Sequence, residues 1–212
     1  MNAKKPIVIV GIFLVFLAPR VFAGQPAFDF DGLPANRSAA VFAGGCFWCM
    51  EPPYDEMPGV YDTISGYTGG TVANPTYRQV TRGGTGHYEA ILVIYDPSVV
   101  SYEDLLEVYW FNVDPVDAGG QFCDRGSSYR TAIFYRDEDQ RTAATASRDA
   151  LNRSGRLPRF IVTEIIEAGP FYIAEDYHQN YYLTNPLRYR TYRTGCGRDA
   201  RLRQLWGADA PY

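Results

Sequence analysis

The stretch AAVFA at 39–43 carries no polar side chain and stops at Gly44-Gly45. Such a run reads as a buried strand, and a buried strand obliges other elements to pack over it. A second run, EAILVIYD at 89–96, is closed by Pro97 and reads the same way. GVYDTISGYTGG (59–70) alternates before breaking into glycines, and YRTAIFYR (129–136) and FIVTEIIEA (160–168) are strand-like. Helical spacing appears between them. Ser101 with Asp104 marks a helix start, followed by apolar residues at Tyr102, Leu105, Leu106, Tyr109, Trp110 and Val113. DEDQRTAATASRDALNRSG reads as a second amphipathic helix capped by Gly155, and AEDYHQNYYLTN as a short one. The predicted class is α+β: one domain, a two-layer sandwich with a mixed sheet and helices packed against it. An arginine-rich, irregular tail is expected from about residue 186.

The chain starts with a different kind of segment. Lys4 and Lys5 precede the apolar run 7–18, and Val21 and Ala23 occupy the minus-three and minus-one positions before Gly24. That is the three-part pattern of a secretory signal peptide, with cleavage expected after Ala23. The apolar run is too short for a membrane span, which needs roughly 20 residues. Residues 24–38 read as a flexible leader and 39–212 as the functional domain. A periplasmic or secreted protein without stable membrane association is the expectation. With 46% hydrophobic and 21% charged residues and a net charge of -4, the composition is ordinary for a globular chain. No basic patch interleaved with aromatics points to nucleic acid.

Export permits disulfides, and the four cysteines, Cys46, Cys49, Cys123 and Cys196, allow three pairings. Two of them fall in GGCFWCME (44–51), around an aromatic pair. A strand, two glycines and a cysteine opening a helix form a setting that favours a thiolate, because the helix end stabilises negative charge. Cys49 lies one turn on, within disulfide reach. Redox chemistry competes here with a structural bridge and with half a zinc site. Zinc would want a second Cys-x-x-Cys or a His pair, whereas His87 and His178 stand apart in the sequence. Phe47 and Trp48, beside a nucleophilic sulfur, could cradle a small apolar group such as an S-methyl, or simply pack in the core.

These segments resemble one known family. GGCFWCMEPPYDEMPGV, SGYTGG, NPTYRQV and GGTGHYEA, then QFCDRGSSYRTAIFY, FYIAEDYHQNYY and YRTGCGRDARLRQLWG, are similar to peptide methionine sulfoxide reductases of the A type over about 39–207. The resemblance implies reduction of the S epimer of methionine sulfoxide, free or in oxidised proteins. It implies Cys46 as nucleophile, Phe47 and Trp48 as the methyl pocket and Glu89 as proton donor to the sulfoxide oxygen. Tyr77 and Tyr129 would be hydrogen-bond donors to that oxygen, with Asp124 a further polar member of the site. Elementary chemistry agrees that an acid must sit near the oxygen, which leaves poorly unless protonated.

A cysteine sulfenic acid then needs a resolving thiol. Cys49 and Cys196 are the candidates favoured, with Cys123 near enough to be a third and expected to be dispensable. No cofactor or metal is implied, only thioredoxin or an equivalent dithiol donor, and a monomer is expected. Two rivals remain: a general Cys-x-x-Cys thiol-disulfide oxidoreductase, which would want a proline opposite the cysteines, and a disulfide-stapled binding protein.

Overall fold

The computed structural model describes residues 26–210. The predicted export segment and its cleavage after Ala23 lie outside the described residues.

In chain order the elements are β1 (Ser38–Gly44), α1 (Glu51–Asp55), β2 (Val60–Thr68), α2 (Tyr77–Arg82), β3 (Tyr88–Tyr95) and α3 (Tyr102–Phe111). There follow the short pair β4 (Gly120–Gln121) and β5 (Asp124–Arg125), then β6 (Thr131–Tyr135), α4 (Glu138–Ser154), β7 (Glu164–Glu167) and β8 (Tyr172–Ile173). The chain closes with α5 (Tyr181–Thr184), α6 (Pro186–Gly195) and α7 (Arg198–Trp206). Six strands form one sheet in the order β7-β6-β1-β3-β2-β8. Only β6 and β7 run parallel; the other neighbours are antiparallel, so the sheet is mixed, as expected.

The continuous apolar runs have a simple cause: both faces of the central strands are covered. Ala40, Phe42, Ile91, Val93 and Ile133 point into the main core beneath α3 and α7. Their alternate neighbours, Ala39, Val41, Ala43, Ala90, Leu92 and Phe134, form a second apolar layer on the other face. Burying one side chain such as Phe42 contributes about 2 kcal/mol.

Part of what covers the second face corrects the expected flexible leader. Phe28, Phe30 and Leu33 pack on it, and the Phe28 N–H donates to the Phe171 carbonyl at 2.7 Å. The aromatic side chains of the leader outweigh its loop-like prolines and glycines.

The predicted helix starts at Ser101 and Gly155's cap are both realised. Ser101 and Asp104 form a reciprocal capping box, and Gly155 ends α4 in the left-handed region at φ 66°. Two expectations change. The helix expected to open at Cys46 is only a 3-10 turn there, and the α-helix proper begins at Glu51 with Pro52 and Pro53 in its first turn, where their missing N–H groups cost nothing. The strand read over 160–168 begins only at Glu164, because the Ile161 and Val162 N–H groups are taken by Asn152 Oδ1 and the Pro115 carbonyl.

The arginine-rich tail is helical, not irregular. Leu202, Leu205 and Trp206 enter the main core, and the buried Arg198 donates to the carbonyls of Gly44 (3.2 Å) and Asn112 (2.6 Å). Tertiary anchoring, invisible in the local apolar spacing, holds these helices. Among the described residues no helix is long and apolar enough to cross a membrane.

Candidate active site

The topology brings the predicted site residues to one end of the sheet. Cys46 follows β1, Glu89 lies near the start of β3, and Tyr129 precedes β6. Because β1 pairs antiparallel with both β3 and β6, its C-terminal end adjoins the N-terminal ends of its two neighbours. Asp124 arrives on β5 and Tyr77 on the first turn of α2, whose cap is Thr76 with Gln79. Cys46, Phe47, Trp48, Tyr77, Glu89, Asp124 and Tyr129 line one cavity, and Tyr192 joins them. It holds about 50 Å³, room for the tip of a side chain and not for a whole peptide.

Two glycines show why the quoted motifs are glycine-rich. Gly45 turns the chain at φ +80°, and a Cβ there would lie 2.5 Å from the Gln121 side chain. Gly70 has no room either: its Cβ would meet the His87 ring at 2.5 Å. His87 accepts at Nδ1 from the Gly70 N–H (3.2 Å) and, by elimination of tautomers, donates from Nε2 to the Val72 carbonyl (2.7 Å). His87 therefore fastens the loop after β2 and does not line the cavity.

Glu89 is buried, and burial raises its carboxyl to about 8; the charge of Asp124 adds to this, while the Phe47 N–H and the Tyr129 hydroxyl oppose it. The Phe47 N–H lies 3.3 Å from Glu89 Oε2. At neutral pH the carboxyl holds its proton. Burial also raises Tyr77, to about 12, and Tyr129 more strongly, with the charge of Glu89 contributing to both, so both phenols remain donors. The Asp124 carboxyl is raised by burial too, against a hydrogen bond from the Tyr192 hydroxyl.

The thiols depart from the expected pattern. Cys46 caps only a three-residue 3-10 turn (Phe47–Cys49), too short to supply a useful dipole. Burial therefore dominates and pushes the Cys46 thiol well up, with Cys49 and Glu89 adding to it. Cys49 is held down to about 7 by its hydrogen bond with Cys46, with Arg198 and Arg193 assisting against burial. The pair shares its charge toward Cys49. Arg193 also donates to the Cys49 carbonyl, at 3.4 Å.

Cys123 and Cys196 form a disulfide, 73 residues apart in sequence, while Cys46 and Cys49 are free and buried. Cys123, expected to be dispensable, thus pairs with one of the favoured resolving cysteines. It is presented at the tip of the β4–β5 hairpin beside Phe122, which takes a left-handed φ of 55°. The two sulfurs lie 3.9 and 4.0 Å from the Asp124 carboxylate.

Several residues of the site were not singled out in the sequence. Trp48 donates from Nε1 to His178 Nδ1 at 3.1 Å and stacks on Tyr181 with centroids 3.8 Å apart. Burial lowers His178 to about 4, so the ring is a neutral acceptor and its remaining proton is on Nε2. Glu175 accepts from the Tyr77 N–H (2.9 Å) and the Tyr67 hydroxyl (2.8 Å), tying α2 to the sheet. Tyr192 bridges Asp124 and Cys46. The aromatic and acidic density of FYIAEDYHQNYY was the available signal. Opposite the cysteines stand Glu89 and two phenols, not the proline that a general thiol-disulfide exchanger would want.

The family model for peptide methionine sulfoxide reductase matches residues 38–210. The peptide methionine sulfoxide reductase MsrA of Bacillus licheniformis is 55% identical over 172 residues, 81% of this chain and 95% of that one. Methionine sulfoxide reductase A of Corynebacterium diphtheriae superposes with a TM-score of 0.65 at 34% identity, over 77% of this chain and 83% of that one. Mxr1 of Saccharomyces cerevisiae in its reduced form gives 0.68 at 27% identity, over 73% and 88%. A match running nearly the whole described length, from sequence and from fold alike, leaves one conclusion: the chain belongs to the peptide methionine sulfoxide reductase family, A type, and reduces methionine sulfoxide to methionine.

Proposed function

We propose that Cys46 attacks the sulfur of methionine-S-sulfoxide while Glu89 delivers a proton to its oxygen. The attack forms a bond between Cys46 Sγ and the substrate sulfur; that bond and the substrate's sulfur–oxygen bond then break as the hydroxyl passes to Sγ, and the products are methionine and a Cys46 sulfenic acid. The thiol proton, lost as the new bond forms, restores Glu89. Tyr77 and Tyr129 donate to the oxygen as charge gathers on it. Phe47 and Trp48, the latter clamped by His178 and Tyr181, receive the S-methyl. The observation that carries this reading is a buried carboxyl in the same small cavity as a buried thiol and two phenols. Because that cavity fixes methyl, lone pair and oxygen in one arrangement, the S epimer is expected to be consumed and the R epimer left. Incubation with the separated epimers and a small dithiol checks this; similar rates on both would refute it.

Recycling uses two pairs. Cys49, low in pKa and hydrogen-bonded to Cys46, condenses with the sulfenic acid to give a Cys46–Cys49 disulfide and water. That pair is buried, whereas Cys123 is exposed. Cys123 and Cys196, when reduced, then exchange with the inner disulfide and become the pair that a thioredoxin-type protein dithiol can reach. With such a donor, Cys49→Ser is expected to make about one methionine per enzyme and stall. Cys123→Ser and Cys196→Ser should stall as well, yet keep turning over with a small dithiol that can enter the cavity. Full turnover of Cys123→Ser with the protein donor would remove the outer pair from the route.

A further inference from the structure

The catalytic cavity admits a side-chain tip, so the chain bearing an oxidised methionine must lie outside it. One groove adjoins it directly. Leu187, Arg188, Thr191 and Tyr192, on one face of α6, line about 340 Å³, and Tyr192 also lines the catalytic cavity. Leu187 is 78% exposed, and five residues along a helix separate it from Tyr192, about 7.5 Å along the axis. That is the span of about two residues of extended peptide. The Thr191 hydroxyl donates to the Leu187 carbonyl at 2.9 Å, which leaves its lone pairs for an incoming N–H. Arg188, exposed beside it, offers guanidinium donors to carbonyl oxygens.

We propose that this face of α6 binds the polypeptide flanking the oxidised methionine, as an extended segment with an apolar residue against Leu187 and main-chain carbonyls toward Arg188. The proposal rests on the reading of the cavity given above and adds to it the surface along which the chain flanking the oxidised methionine lies. Continuity through Tyr192 is what selects this occupant over others. Two larger grooves, between Leu151 and Phe160 and between Glu103 and Leu151, share no residue with the catalytic cavity.

The test compares two substrates with a small dithiol as reductant: free methionine-S-sulfoxide, and a short peptide carrying it between leucines. Leu187→Asp is expected to lower kcat/KM for the peptide roughly tenfold, the scale of one lost side-chain burial, and to leave the free amino acid unaffected. Leu187→Met should restore the peptide rate. Equal losses on both substrates, or an unchanged peptide rate, overturn the proposal. A loss seen only when a thioredoxin-type protein replaces the small dithiol also overturns it, because the face would then serve the reductant. If the unaltered enzyme releases methionine from neither substrate, the reading of the cavity fails and takes this proposal with it. Turnover of the free amino acid with an insensitive peptide rate defeats the groove alone.

Discussion

Cys46→Ser is expected to lose methionine formation even in a single turnover, a fall on the order of 10⁴-fold or more. Sulfur attacks sulfur well because it is soft and polarisable, and a serine hydroxyl is neither. The site adds nothing to rescue it. Glu89 is protonated at neutral pH, and Cys49, held near 7, is too weak a base to ionise a serine hydroxyl to any useful extent. Rapid-quench measurement of methionine isolates this step from the later exchanges. The variant keeps Cys49 and the Cys123–Cys196 pair, so any thiol chemistry that survives belongs to those residues. Methionine released by Cys46→Ser at a measurable single-turnover rate would move the nucleophile to Cys49.

Glu89→Gln is expected to bind substrate nearly as well and to slow the same step by about a hundredfold or more, the usual scale for a general acid. Glutamine keeps the shape and a donor but releases no proton. The pH dependence follows from the direction of the shift. Glu89 is raised from about 4.5 to about 8, so the acid is present at neutral pH and disappears as pH rises through about 8. The single-turnover rate should fall over that range in the parent enzyme and be flat in Glu89→Gln. Stability carries the same sign. Between the two values the native chain holds a proton that the unfolded chain has released, so the contribution of Glu89 is full below about 4.5 and is lost as pH climbs through about 8. Glu89→Gln should therefore be more resistant to denaturation at alkaline pH while being a poorer enzyme. A Tyr77→Phe/Tyr129→Phe double variant should slow the same step through loss of two donors. An unaltered single-turnover rate in Glu89→Gln would assign the proton to a phenol or to water.

The sheet was legible because its central strands are apolar on both faces, which leaves runs such as 39–43 and 89–96 little else to be. α3 and α4 were legible from caps and spacing. What escaped is held by long-range contacts. α6 and α7 have no strong apolar stripe; buried arginines and three apolar residues near the end fix them. α2 is a six-residue helix whose start is set by a cap and by Glu175, nearly a hundred residues on. Of the site, Cys46, Phe47, Trp48, Tyr77, Glu89, Asp124 and Tyr129 do converge on one cavity. Local reasoning about the thiol failed for a physical reason. A helix start implies a dipole only if the helix has length, and three residues of 3-10 turn cannot offset full burial. His178 stands alone in the sequence because its partner, Trp48, lies 130 positions away.

The segment at 27–33 changes where this protein should be taken to begin. The family match starts at residue 38, yet Phe28, Phe30 and Leu33 shield an apolar sheet face formed by residues after it. A chain trimmed to the matched region would retain every residue of the cavity and lose part of the cover on the opposite side. Its exposed face would be a flat, strand-rich surface of the kind that draws other copies onto itself. The family match begins at Ser38; the cover of this sheet face begins ten residues earlier.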